Sequence, residues 1–292
     1  MNNPQSGFLI SSIAWQGVRH SEAIAAVREA GFGGVEILCK PGHFEHNNSI
    51  HITEVAAALS EWPDAVVTLH APFHDVDLAS PDTDERNGAV QESLQALRVA
   101  LRLRAEVMTL HTRSKEKTYH WGLENATAFQ HSLSELLPVA TELKIRLAIE
   151  NCYDFTADPE NLVRLLGAFP AHLVGACLDT GHAHLGGRTV MLARLLAPRI
   201  FVVHLHDNAA LGKDEHLIPG QGTIPWAELT EVLRAGIFAG RLVVEVLVVE
   251  SLVNTLEIVK TAIVETGLWK LAGNKTGASR LTLKEEKCRS QY

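Results

Sequence analysis

Gly175-Ala176-Cys177-Leu178-Asp179-Thr180-Gly181-His182 is an apolar run that stops on a carboxylate and delivers a histidine three residues later. A run this short and apolar reads as a strand buried on both faces. By itself the segment also fits an aspartate that N-caps the next helix beside a solvated histidine. The same construction recurs. Leu69-His70, Leu110-His111, Ile149-Glu150-Asn151, Val203-His204 and Val244-Glu245 each set one polar residue where an apolar run stops, and Asp214-Glu215-His216 follows on a loop. A carboxylate at the end of a buried strand has to be paired, hydrogen-bonded or metal-bound, because an isolated charge there is costly. Oxygen and imidazole groups gathered on one rim of a parallel sheet are the ligand types of a divalent-metal site.

Working outward, the strand candidates are 8–14, 34–38, 65–70, 106–111, 146–150, 174–179, 200–205 and 241–247. Helical patterns lie between them at 22–30 (closed by Gly31), 86–103, 125–143, 158–166, 190–196, 226–235 and 251–266. In 86–103, Val90, Leu94, Leu97 and Leu101 recur at helical spacing; in 125–143 Phe129, Leu133, Leu136, Leu137 and Ala140 do the same. Alternation of strand and helix implies parallel pairing, and eight units fit an α/β chain folded as a single (β/α)8 TIM barrel with its active site at the C-terminal strand ends. The competitor, a doubly wound open sheet, lacks its glycine-rich first turn at Ser11-Ser12-Ile13-Ala14-Trp15. Residues 1–272 are expected to form the barrel. Residues 273–292, polar and basic without apolar periodicity, read as a flexible tail or a partner-binding segment.

The 34 acidic against 26 basic residues give a net charge of -8, which disfavours nucleic acid and anionic membrane as partners. Cys39, Cys152, Cys177 and Cys288 form no CxxC pair, hence neither a disulfide framework nor a thiolate zinc site. No signal segment and no apolar run of about 18 residues is present, so a reduced, cytoplasmic protein is expected. The oligomeric state is open, a homo-oligomer included.

Glu150 and Glu245, facing each other across a barrel mouth, would bridge a cation or exchange protons with a substrate. His204 and His206 are two apart on a strand and share a side; one suffices as a ligand, leaving the other for a neighbour or the substrate. Glu36, after the second strand run, is a candidate for a substrate hydroxyl or for a salt bridge. Trp15, His182 and the 220–226 loop would close a narrow pocket suited to a sugar.

These residues resemble the xylose isomerase-like barrel superfamily over about 8–266, most closely in Cys177-Leu178-Asp179-Thr180-Gly181-His182 and His204-Leu205-His206-Asp207. That superfamily contains sugar isomerases, epimerases and the endonuclease IV class of abasic-site nucleases (AP endonuclease family 2). Resemblance to the sugar branch implies one ion (manganese, magnesium, cobalt or zinc) held by Glu150, Asp179, His204 and Glu245. The two glutamates would shuttle a proton through an enediolate of a sugar, sugar phosphate or related polyol. Resemblance to the nuclease branch implies as many as three zinc ions on His70, His111, Glu150, Asp179, His182, His204, Asp214, His216 and Glu245. A dehydratase or lyase on the same metal site is a further alternative. Departures weigh against the nuclease. Pro72-Phe73 replaces its Ser-Tyr, Gly181 its Cys, His206-Asp207-Asn208-Ala209 its Asn-Asp-Ser-Lys, and Glu215 its Arg. Asp214 to Trp226 resembles the sugar phosphate isomerase/epimerase branch, so a small sugar is the expected substrate.

Overall fold

Runs of Val, Ile, Leu and Ala too short for helices pair in parallel in the computed structural model, which describes residues 4–113, 122–152, 155–236 and 238–272. The tail expected at 273–292 lies outside the described residues. The strands are β1 (Phe8–Ser11), β2 (Gly34–Leu38), β3 (Val66–His70), β4 (Val107–Leu110), β5 (Arg146–Glu150), β6 (Val174–Asp179), β7 (Ile200–Leu205) and β8 (Arg241–Val244). They follow one another around a closed barrel, β8 pairing back to β1 with Ile10 opposite Val244. The helices outside are α1 (His20–Glu29), α2 (Ser49–Ser60), α3 (Thr83–Arg102), α4 (Leu123–Leu143), α5 (Pro159–Gly167), α6 (Thr180–Leu185), α7 (Thr189–Leu196), α8 (Trp226–Ala235) and α9 (Leu252–Glu265). The expected (β/α)8 barrel is the observed fold. No helix among the described residues is long and apolar enough to cross a membrane.

Strand alternation divides the apolar residues into two cores. Val35, Ile37, Leu69, Leu147, Ile149, Leu178, Val203 and Val244 belong to the large layer that includes the helices. Leu9, Val107, Ala148, Cys177, Val202 and Val243 form a separate plug inside the barrel. Gly34 is required where β2 meets β3: a Cβ there would stand 1.9 Å from the Val66 carbonyl oxygen. At the N-terminal end, Arg241 pairs with Glu106 and the Arg146 guanidinium lies 4.6 Å over the Phe201 ring.

Three expectations are corrected. The first strand ends at Ser11, where the chain turns into a 3-10 segment (Ser12–Trp15) and Ser12 Oγ accepts from the Leu38 amide at 2.8 Å. The last strand ends at Val244, not 247. Helix α2 was not expected, because its apolar and polar residues are poorly segregated around the axis; its start is nonetheless marked by Asn48, whose side chain accepts from the Ile50 and His51 amides.

The face expected for α3 also shifts: Leu97 is 0% exposed and Leu101 is 52% exposed. Leu97→Ala should cost about 2–5 kcal/mol in denaturant unfolding, whereas Leu101→Ala should stay within about 0.5 kcal/mol. Equal losses would contradict the helix orientation.

Candidate metal centre

The alternation that builds the plug also builds the rim. Glu150 lies two residues beyond Ala148, Asp179 beyond Cys177, His204 beyond Val202 and Glu245 beyond Val243, so all four continue the interior face. His70 continues from Thr68, and His111 follows β4 by one residue. A one-residue slip would turn each of these groups into the layer between barrel and helices. Asp179 also caps α6, accepting from the His182 amide at 2.7 Å, so the capping and site readings both hold.

Hydrogen bonds fix which ring nitrogens face inward. His70, His182 and His216 hold Nδ1 against the carbonyls of Ala71, Asn151 and Glu245 at 2.9, 3.1 and 2.9 Å. A carbonyl only accepts, so Nδ1 carries the proton. Nε2 then faces a carboxylate oxygen: Glu150 Oε2 at 3.3 Å for His70, Asp214 Oδ2 at 3.4 Å for His182 and at 3.0 Å for His216. This outer support is the arrangement that orients histidine ligands on metals. His111 Nε2 lies 3.3 Å from the same Glu150 oxygen.

His204 sits at the centre. Its Nδ1 is 3.0, 3.4 and 3.7 Å from carboxylate oxygens of Glu245, Glu150 and Asp179. Its Nε2 is 3.1 Å from Glu36 Oε1. Neither nitrogen completes a hydrogen bond, nor does Glu150 Oε2, although all three atoms are buried. Buried polar atoms without partners are rare in folded proteins. A divalent cation beside His204 Nδ1 and Glu150 Oε2 would satisfy those two atoms and leave Nε2 facing Glu36, and the donor types, carboxylate and imidazole, fit such an ion.

The electrostatics agree. Burial would raise the Glu150 pKa, but His111 and His204 hold it well below the usual carboxylate range. Burial acts on Asp214 the same way, and His182 and His216 hold it low. Burial lowers His216, yet Asp214 and then Glu245 lift it to about 9. For His111 burial wins over Glu150 and its pKa falls.

The structure thus brings together all nine residues of the longer expected ligand set. Three clusters, His70–His111–Glu150, Asp179–His206–Glu245 and His206–Asp214–His216, have ligand atoms within 4.8 Å of one another. Cys177 also stands by Glu150 and His204, and burial pushes its thiol well above the usual range.

Four expected substrate contacts are corrected. Trp15 is fully buried below the rim, donating Nε1–H to His20 Nδ1 at 3.1 Å. Glu36 is buried behind His204 and accepts from Thr68 Oγ1 at 3.0 Å. His206 is buried against Asp179. The 220–226 loop does not close the pocket, because Asp207 draws it onto β7 by accepting from the Gly220 amide, the Ile224 amide and Trp226 Nε1 at 2.9, 3.1 and 2.7 Å. The pocket is lined by Glu150, His182 and Glu245, by Ile13, Leu38 and Phe73, and by Lys40, His74 and Arg113. Sequence reading assigned none of the last six to the site. Cys152, also in the lining, was detectable by its two-residue spacing from Glu150.

A family model described as a xylose isomerase-like TIM barrel matches residues 24–263. An uncharacterised protein of Methanocaldococcus jannaschii is 26% identical over 261 residues, covering 87% of this chain and 88% of its own. A crystal structure of a D-tagatose 3-epimerase-like protein superposes with a TM-score of 0.75 at 25% identity, covering 89% of this chain and 98% of that one. A zinc-bound IolI protein shares the fold with a TM-score of 0.73 at 16% identity, covering 89% and 97%.

Without metal, His216 holds its proton more tightly folded than unfolded. Its contribution to stability is therefore complete below pH 6.5 and lost as pH rises through about 9. Metal binding needs the neutral ring. Adding a divalent ion at pH 7.5 should release at least about one proton per chain, read with a pH indicator in weak buffer, and ion affinity should climb toward pH 9. Binding without proton release would contradict this ligand set.

Proposed function

The chain belongs to the xylose isomerase-like TIM-barrel family, and from that premise we propose that it is a divalent-metal-dependent isomerase or epimerase of a small sugar, sugar phosphate or related polyol, working in the cytoplasm. The observation that carries this reading is the position of His204 Nδ1, buried among oxygens of Glu245, Glu150 and Asp179 without completing a hydrogen bond. Glu150, Asp179, His204 and Glu245 would hold the ion, and manganese, magnesium, cobalt or zinc suits three carboxylates and an imidazole. Bound there, such an ion supplies Lewis acidity that acidifies a substrate C–H next to a carbonyl.

Glu150 and Glu245 are assigned the proton transfers. Both line the pocket, and both are held below the usual carboxylate range: burial pushes the other way, but His204 and nearby histidines prevail. An ionised carboxylate is the form that accepts a carbon-bound proton. They project from β5 and the end of β8, three strands apart around the rim. Removal of a proton by one and its return by the other, on the opposite face of an enediolate, inverts a carbon centre; return to the neighbouring carbon isomerises. Glu36, itself held by Thr68, fixes His204 from below, and His182 faces the pocket as a hydrogen-bonding group. Ile13, Leu38 and Phe73 give the cleft an apolar wall that restricts water. The likeness to a D-tagatose 3-epimerase-like structure supports a sugar substrate.

The His70–His111–Glu150 and Asp214–His216 groupings favour a second reading, phosphodiester hydrolysis of the abasic-site type. One experiment separates the two. Metal-loaded protein in deuterated water with a panel of ketoses and ketose phosphates should introduce solvent deuterium at a carbon position, seen by proton NMR. Glu150→Gln and Glu245→Gln should each lower the exchange rate by at least about 100-fold, with chelator treatment doing the same reversibly. Exchange with no member of the panel, together with cleavage of an abasic duplex, would replace the isomerase reading by the nuclease.

A further inference from the structure

Beside the pocket at the candidate metal centre lies a second cavity that the proposed proton transfers do not use. It sits between the loops that follow β2 and β3 and has a volume of about 350 Å³, against about 200 Å³ for the pocket itself. Lys40 and His74 line both, so the two spaces adjoin at these side chains. The β2 loop that forms one wall is braced from within. The Lys40 amide donates to the Phe44 carbonyl at 2.9 Å, the His43 amide donates to the Lys40 carbonyl at 3.1 Å, and Phe44 is fully buried. His46, also buried, ties that loop to α3 through Glu92 Oε2 at 2.8 Å. The cavity is therefore preformed, as small-molecule sites usually are.

Its lining selects the occupant. Phe44, Pro72 and Val76 give an apolar surface, and Glu45, Asp75 and Glu92 give carboxylates. An ionised carboxylate only accepts hydrogen bonds. Hydroxyl groups donate to it, and a charge-assisted bond of this kind is roughly twice as strong as a neutral one. A phosphate in the same space would meet three like charges against the single ammonium of Lys40. A sugar unit matches both parts of the lining, with hydroxyls on its edge and C–H groups on its faces. Lys40 Nζ donates to Gln16 Oε1 at 3.1 Å and has further N–H donors for an oxygen that links two units at the junction. One small sugar at the metal centre would leave the larger of the two spaces unused.

We propose that the substrate is a two-unit sugar: the reacting ketose lies at the metal centre, and a second, uncharged sugar joined to it by a glycosidic bond lies in the outer cavity. The inference deepens the isomerase reading and rests on it, selecting a glycoside over a free sugar or a sugar phosphate.

Two measurements on metal-loaded protein test it with the same probes. These are D-fructose, fructose 6-phosphate and the ketose disaccharides turanose, lactulose and isomaltulose, which differ in the hydroxyl that carries the second sugar. In deuterated water, at least one disaccharide should exchange a carbon-bound proton with kcat/KM at least about tenfold above both fructose and its phosphate, the worth of one hydrogen bond to a charged group. In saturation-transfer NMR, both of its sugar units should receive saturation from the protein. Asn47→Trp places an indole in the outer cavity from an exposed loop position. It should lower the ratio of disaccharide to fructose kcat/KM at least about tenfold and remove saturation from the second unit. Preference for fructose or its phosphate, or saturation confined to the reacting unit, overturns the two-unit substrate while exchange itself upholds the isomerase. Saturation of both units without exchange of any probe supports the outer sugar site and overturns the isomerase chemistry. Neither saturation nor exchange with any disaccharide overturns the two-unit substrate, and so does a folded Asn47→Trp with the wild-type ratio and saturation pattern. If a thermal melt shows that the variant does not fold, the wild-type selectivity and saturation pattern decide.

Discussion

The cost of burying carboxylates governs the design of this barrel. Glu36, Glu150, Asp179 and Glu245 are all buried, and Asp214 stands beside them at the rim. An unpaired buried charge costs several kcal/mol even after relaxation, and a parallel barrel offers no flexible element to carry such groups into water. The histidines answer that cost. His70, His111, His182, His204 and His216 each place a ring nitrogen within 3.4 Å of a carboxylate oxygen. Compensation by protonated histidine is a poor final state, because those rings crowd one another as they offset the acids. Exchanging protons for a divalent ion removes that repulsion while keeping the carboxylates ionised. A ligand that binds only the folded chain also stabilises it by mass action, so a metal bound at this rim would serve stability and the proposed chemistry together.

Much of this was legible in the sequence because strand periodicity ties position to direction. The apolar runs ending in Glu150, Asp179 and His204 are strands with their expected bounds, and their interior register follows from counting back by twos to Ala148, Cys177 and Val202. What the sequence concealed is distance from the pocket. Glu36 also lies on an interior face, yet it sits two residues before the end of β2, one layer below the rim. Trp15 looked like a rim residue because a strand was expected through 14; the chain turns at Ser12 and carries the indole into the core. Lys40, His74 and Arg113 escaped notice for the opposite reason. They lie on loops, where no period links sequence position to orientation.

Outer residues do as much to define the centre as the ligands. Asn151 accepts from the Asp179 amide with its side-chain oxygen at 2.8 Å and donates to the Asp179 carbonyl at 3.0 Å, while its own carbonyl receives His182 Nδ1–H. One residue thus ties β5 to β6 at the candidate metal centre and sets the tautomer of a histidine beside it. Thr180 does similar service between strands, its hydroxyl contacting the His204 and His206 carbonyls at 3.0 and 2.8 Å. Neither residue would attract attention as a ligand. Each owes its place to the requirement that a buried backbone polar group find a partner, and each transmits that requirement to the geometry of a reactive group.

The likeness to both a sugar-isomerase and a nuclease pattern follows from the same physics. A parallel barrel lined with acids at its mouth must import imidazoles to balance them, and once enough have been placed, more than one ion can be held. Chemistry then depends on which ligand pair faces open space. Here Glu150 and Glu245 face the pocket, whereas Asp179, His204 and His206 are turned into protein. Two carboxylates that reach the pocket from a buried rim are placed, on the proposed reading, to move protons to and from a carbon. The same lining carries Lys40, His74 and Arg113, on the loops that follow β2, β3 and β4. On the proposed reading, a substrate held at the carboxylates would meet these cationic and hydrogen-bonding groups in the same cleft, so the acids that call for a metal would also give the pocket a direction.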